Sequence, residues 1–330
     1  MTIDFSLSPE LEEIRLRIRD FINTEVKPVE EIIENEKLDE TDRDQYISHL
    51  IGMRKKAFTE GLWLPHMPKD WGGMGLGHVE LAMVQAEAAK SHYGPWVLNC
   101  QAPDEGNMHT LLHWGTKDQL DKYLKPLCEG RATSCFAMTE PDVAGSDPTL
   151  IQTSGYQDGD EWVINGHKWF ITGAPYERCA IFIVMGKSDA ENPNRHLQQT
   201  QILVPKNTAG VEVLRPLTTL GYDDAPIGHA EVIFTDVRAP VENLLLGEGR
   251  GFEIAQSRLA PGRMHHCMRL IGAGQRSLEL ACQRVEDRET FGRKLSQHQS
   301  IRENIAKSYA ELEMARLLVH KTCWHIDHHG

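Results

Sequence analysis

The sequence predicts an α+β, multidomain fold: helices, then a β domain, then helices again. Three observations carry this. Apolar residues recur at helical spacing from Ser8 to about Gly130. Short β-rich runs follow at regular intervals between 134 and 240, and helical spacing returns from about residue 250. The expected domains are an N-terminal α-helical domain over 1–133, a middle antiparallel β-barrel or sandwich over 134–242, and an incomplete C-terminal helical bundle over 243–330.

The first block opens with Ser8-Pro9, an N-cap followed by proline at the first helical position. Leu11, Ile14, Ile18, Phe21 and Ile22 then form one stripe. Leu120, Tyr123, Leu124 and Leu127 predict a short helix over 118–130, with Gly130 placed to end it. The Gly/Pro-rich stretch Pro65–Gly77 reads equally as a binding loop or a plain connector. In the middle block, Asn165-Gly166 between Trp162-Val163-Ile164 and Lys168–Thr172 predicts a β-hairpin turn, because both residues tolerate positive φ. Further strands are expected at Ala180–Met185, Gln201–Val204, Val211–Leu214 and Ala230–Phe234. The last block predicts a helix over about 256–287, close-packed along Leu270, Gly274, Leu278 and Ala281. Pro261-Gly262 should disturb it. A break at Arg288–Gly292 precedes a second helix from near Gln299, with Ile301, Ile305, Leu312, Ala315 and Val319 on one face.

Composition bounds the function. The chain has 330 residues, 40% hydrophobic and 25% charged, with net charge −13. That charge argues against nucleic acid or an anionic membrane as partner. No stretch approaches the roughly 18 apolar residues of a spanning helix. The opening Met1–Ser6 shows neither signal-peptide nor transit-peptide character, so a cytoplasmic location is expected. The seven cysteines form no CxxC pair and read as free thiols in a reducing compartment. His325 and His329 are one helical turn apart, but no third ligand accompanies them, and no metal is expected.

The most informative stretch is Thr139-Glu140-Pro141-Asp142-Val143-Ala144-Gly145-Ser146-Asp147, followed by Lys168–Thr172. With Phe234–Pro240, Gly247–Phe252, Arg288-x-Thr290-Phe291-Gly292 and His298-Gln299, it closely resembles the flavin-dependent acyl-CoA dehydrogenases over the whole chain. The Asp142-Val143 form is similar to the large multidomain members and their single-domain bacterial relatives. The resemblance implies FAD as cofactor, and an acyl-CoA oxidised to the trans-2-enoyl-CoA in fatty acid β-oxidation. Electrons would pass to an electron-transfer flavoprotein.

It further implies that Phe136, Met138 and Thr139 edge the flavin ring, Thr139 donating at the pyrimidine end. Gly145 and Ser146 would meet the pyrophosphate, Phe170 would face the ring, and Thr172 would bond near N5. Arg288, Thr290, Phe291 and Gln299 would reach the flavin of a neighbouring subunit, which implies a homo-oligomer, tetramer or dimer. Arg263 would lie beside the substrate thioester. Each residue also has an ordinary reading: turn for Ser146, strand for Thr172, core for Phe136 and Phe170, helix cap for Arg288, surface for Arg263. One family position for the catalytic base is Gly262 here, which cannot take a proton; the other lies beyond Gly330, so the base is not expected within these residues. Rival readings are an oxidase or a flavin monooxygenase on the same scaffold, or a catalytically silent binding member.

Overall fold

A computed structural model describes residues 6–329. Met1 to Phe5 and Gly330 lie outside the described residues, and with them most of the opening stretch read for a targeting signal. The chain forms two compact units, one made of residues up to Cys100 and from Arg263 onward, the other of Gln101–Gly262.

The first unit is helical. Its helix Pro9–Phe21 begins as expected: the Leu11 amide donates to Ser8 Oγ at 3.2 Å, and Pro9 needs no partner for an amide hydrogen it lacks. Leu11, Ile18 and Phe21 are buried, and the stripe continues through a π-helical turn, Ile22–Val26, into the helix Lys27–Glu36. Helix Arg43–Thr59 contributes buried Arg54, whose guanidinium lies 4.7 Å from the Trp63 ring and 4.4 Å from the Trp96 ring. Arg54 donates to Trp96 O and, at 3.0 Å, to Asn99 Oδ1, so one desolvated cation orders the Trp96–Asn99 segment.

Helix His78–Ala88 packs Leu81 and Ala82 against Met268, Ile271, Val319 and Cys323. Gly272 makes the approach possible: a Cβ there would stand 2.1 Å from Ala86 O. This contact sets the packed face of the long helix Gly251–Asp287 and corrects the predicted stripe. Leu270 is 67% exposed and Ala281 is exposed, while Gly274 does approach Leu312, where a Cβ would stand 3.2 Å from Cδ1. The helix runs unbroken through Pro261, contrary to the expected disturbance. The final helix, Gln299–His329, supplies Asp327, which accepts from the His78 and Val79 amides at 2.8 and 3.0 Å and so caps His78–Ala88.

The second unit holds the sheet. Its strands are β1 Thr133–Ala137, β2 Ser154–Asp158, β3 Glu161–Thr172, β4 Cys179–Lys187, β5 Gln199–Pro205, β6 Val211–Leu217 and β7 His229–Pro240. They run in the order β1-β4-β2-β3-β7-β6, with β5 also on β4. β1 is parallel to β4, so the sheet is mixed, where the sequence pattern suggested antiparallel pairing throughout. Phe182 and Phe234 meet edge to face at 5.8 Å inside a core built from alternating inward residues, an arrangement that adds about 0.5–1.5 kcal/mol beyond area burial.

The hairpin turn is not at Asn165-Gly166, which lie inside the single strand β3. The reversal comes at Gly159-Asp160, between paired Asp158 and Glu161, with positive φ at Gly159 alone, as a type II′ turn requires. Gly166 is selected by contact instead: a Cβ there would lie 2.2 Å from Thr153 Oγ1. Asn165 marks a bulge in the β3–β7 ladder, exchanging hydrogen bonds of 3.0 and 2.8 Å with Asp236, itself at φ +47°.

Candidate functional site

β1 delivers Phe136, and the chain continues extended through Met138 and Thr139 to Glu140. Phe136 and Met138 are half-buried against Ile151, Met185 and Ala255. The Arg258 guanidinium lies 4.3 Å from the Phe136 ring centroid and donates to Asn107 Oδ1 at 2.9 Å. Burial brings Arg258 down to about 10, although Glu105 and Asp104 oppose the shift. Gly106 is small for this cation, since a Cβ would come 3.0 Å from Arg258 Cζ.

A buried ion pair fixes the next segment. Lys168 Nζ has no exposed surface and donates to Met138 O at 2.9 Å, Met185 O at 2.7 Å and Glu140 Oε1 at 2.9 Å. Glu140 also accepts from the Gln152 and Thr153 amides, at 2.7 and 2.9 Å, and from Thr153 Oγ1 at 2.5 Å. Burial pulls the Lys168 ammonium down to about 8, with Glu140 pulling the other way. For Glu140, burial pushes upward but is outweighed by the Lys168 charge and the Thr153 and Gln152 donors, so its carboxyl sits below the usual range.

This pair holds 138–140 against β3. Thr139 Oγ1 donates to Trp169 O at 2.7 Å, and the Trp169 amide returns a bond to Thr139 O at 3.1 Å. The Thr139 hydroxyl proton is thereby committed to Trp169 O. A second register shift in β3, between Lys168 and Ile171, breaks the in–out alternation. Trp169 and Phe170 both face solvent, 36% and 42% exposed, with rings 4.9 Å apart and Phe170 at φ +49°. Thr172 Oγ1 lies 2.9 Å from His229 Nδ1, and His229 Nε2 lies 3.0 Å from Asp224 Oδ2. Gly145 and Ser146 are exposed in a turn closed by Asp147 N to Ala144 O, and Gly145 faces Thr139, where a Cβ would stand 3.2 Å from Cγ2.

The structure therefore gathers Phe136, Met138, Thr139, Gly145, Phe170 and Thr172 around β1 and β3 in the second unit, with Ser146 in the adjoining turn. The remaining predicted residues lie in the first unit. Arg263 is exposed on the long helix; of the residues that follow that helix, Arg288, Phe291 and Gln299 are exposed and Thr290 is half-buried. Glu289-Thr290 pairs with Arg293-Lys294 in a small hairpin whose turn residues, Phe291 and Gly292, both have positive φ. Phe291 is 97% exposed.

Against known proteins, the chain matches the acyl-CoA dehydrogenase N-terminal domain over residues 8–131, the middle domain over 135–237 and the C-terminal domain over 249–330. It is 40% identical over 331 residues to a Mycobacterium tuberculosis protein named "Probable acyl-CoA dehydrogenase FadE2", covering 99% of this chain and 80% of that one. The chain belongs to the acyl-CoA dehydrogenase family.

Within the family, acyl-CoA dehydrogenase family member 11 of Gallus gallus is 44% identical over 336 residues. The match covers 98% of this chain but only 42% of that relative, so the chain spans well under half of it. A solved Mycobacterium abscessus structure carrying a provisional acyl-CoA dehydrogenase name superposes with a TM-score of 0.93 at 40% identity, covering 98% of this chain and 81% of that one. The glutaryl-coenzyme A dehydrogenase in complex with glutaryl-CoA gives 0.82 at 25% identity, covering 98% and 78%. The family motifs contain Lys168 and Glu140 without indicating that they pair, and they do not point to Arg258 or to His229 with Asp224.

Proposed function

We propose that this chain binds FAD on the face built by β1, β3 and the Thr139–Asp147 segment, and serves the α,β-dehydrogenation of an acyl-CoA thioester to the trans-2-enoyl-CoA. The observation that carries the reading is the pair of exposed rings, Trp169 and Phe170, turned outward by a bulge whose base is locked by Lys168 and Glu140. A flat aromatic cofactor fits such a face. Gly145 leaves backbone open for a pyrophosphate, Ser146 adds a hydroxyl, and Thr139 and Thr172 bring polar atoms to the ring edges.

The bound flavin would supply the hydride acceptor. The chain's own part is orientation: Phe170 against the ring, Phe136 and Met138 along its edge, and Thr139 and Thr172 fixing its position. Donors preorganised at the thioester oxygen would acidify the α-proton, with Arg263 beside that end. Gly262 offers no proton acceptor, so the base in this reading is a carboxylate at another position. Arg288, Thr290, Phe291 and Gln299 would complete the flavin site of a second copy, making the active form a homo-oligomer. Electrons would pass onward to an electron-transfer flavoprotein. In this reading the chain is organised as three domains, 1–133, 134–242 and 243–330.

The test is anaerobic. Protein reconstituted with FAD should be yellow and bleach on adding acyl-CoAs of graded length. Rapid return of colour on mixing with air would instead favour the oxidase. A yellow protein that no acyl-CoA bleaches would favour the silent binding reading, which the glycine at position 262 motivates.

A further inference from the structure

Behind Thr172 stands a hydrogen-bonded chain that the dehydrogenation chemistry leaves unused. Thr172 closes β3, and His229 opens β7 directly opposite, the two being paired in the ladder. Thr172 Oγ1 lies 2.9 Å from His229 Nδ1, and His229 Nε2 lies 3.0 Å from Asp224 Oδ2. The His229 side chain is 20% exposed, and its ring lies 6.3 Å from that of Phe170. The loop bearing Asp224 is anchored rather than loose: Gly228 N donates to Asp224 O at 2.8 Å, and Gly173 N donates to Gly228 O at 2.9 Å. Gly228, at φ +59°, would bring a Cβ within 3.1 Å of Asp223 O and 3.2 Å of Pro175 Cγ.

The two ring nitrogens have distinct partners, which fixes their roles. A carboxylate only accepts, so Asp224 holds a hydrogen on Nε2. Neutral His229 must then present Nδ1 as an acceptor, and the Thr172 hydroxyl donates to it. Thr172 Oγ1 is left with lone pairs outward, as an acceptor toward whatever lies on the Phe170 side. If His229 takes a second proton, Nδ1–H donates to Thr172 Oγ1 instead, and the hydroxyl hydrogen is released to point outward as a donor. One proton on His229 thus reverses the polarity of the threonine hydroxyl.

We propose that Asp224 and His229 are positioning residues that act through Thr172, setting whether its hydroxyl donates to or accepts from the bound isoalloxazine ring. The inference rests on the flavin reading above.

The experiment is a thermodynamic cycle on FAD-reconstituted full chain, read by FAD dissociation constant and flavin midpoint potential. Thr172→Val and His229→Gln should shift the potential in the same direction and by the same amount. Their double variant should shift it no further, because the histidine acts only through the hydroxyl. Asp224→Asn should produce part of the shift, and Thr172→Ser, which keeps the hydroxyl, should restore the wild-type potential. Unchanged potential in His229→Gln, or additive shifts in the double variant, would overturn the relay while leaving FAD binding intact. Failure of the wild-type chain to bind FAD would overturn the flavin reading, and the relay with it.

Discussion

At the scale of single residues, Lys168 is the unusual choice. An ammonium without exposed surface is costly to keep charged, and only the Glu140 carboxylate and two carbonyl oxygens offset that cost. Removing one partner strands the other, which costs about 3–5 kcal/mol. Glu140→Gln should therefore lower the unfolding free energy by roughly that amount at neutral pH, measured by urea denaturation; wild-type stability in this variant would contradict the role assigned to the pair. The two groups also act at opposite ends of the pH scale. Glu140 is held below its ordinary value of 4.5 in the folded chain, so its contribution is complete above that pH and is lost as pH falls below it. Lys168 is lowered from 10.5 to about 8, so the folded state sheds its proton first. The penalty of burying its charge is present below about 8 and is relieved as pH rises toward 10.5. Melting temperature followed across pH should fall on the acid side in wild type, and less steeply in Glu140→Gln.

At the scale of elements, two glycines make opposite predictions from their surroundings. Gly166 lies against Thr153 inside β3, and alanine there would force the strand or the Glu140 network to move. Overpacking of this kind costs about 1–3 kcal/mol. Gly262 sits inside a helix with nothing within 4 Å of the position a Cβ would take. Gly262→Ala should stabilise by about 0.5–1 kcal/mol. Thermal unfolding of the two variants side by side checks both signs. The same elements mark what the sequence made legible. Ser8-Pro9 and Gly130 were readable because caps depend on adjacent residues, and the Gly130 φ of +66° bears out its terminating position. The Asn165-Gly166 turn was misread because the dipeptide also suits a bulge and a close contact, and both of those depend on Thr153 and Asp236, remote in sequence. The Leu270 stripe failed for a similar reason: Gly272 against Ala86 rotated the packed face. Around the candidate site, the residues expected to touch a ligand were named by motif. The residues that brace them, 28 positions apart for Lys168 and Glu140 and 151 for Arg258 and Asn107, left no local pattern to read.

At the scale of the whole molecule, several large apolar side chains of the C-terminal segment are exposed. Phe291 at 97% exposure stands on a hairpin tip, and Leu270, Met314, Leu318 and Trp324 are open on the two last helices. Exposed side chains of that kind suit association, in keeping with the proposed sharing of flavin sites between copies. Phe291→Asp should reduce the oligomer seen by light scattering and weaken FAD retention together; a fully assembled, yellow variant would count against site sharing. The central claim is narrower, that the face around Thr139, Phe170 and Thr172 holds FAD. It is tested most directly by titrating FAD into the full chain stripped of flavin, beside Phe170→Ala and Gly145→Val, and following quenching of flavin fluorescence. The account predicts saturable binding near one FAD per chain in wild type, weakened at least tenfold, about 1.4 kcal/mol, in each variant. Equal binding by all three proteins, or no saturable binding by wild type, would contradict it.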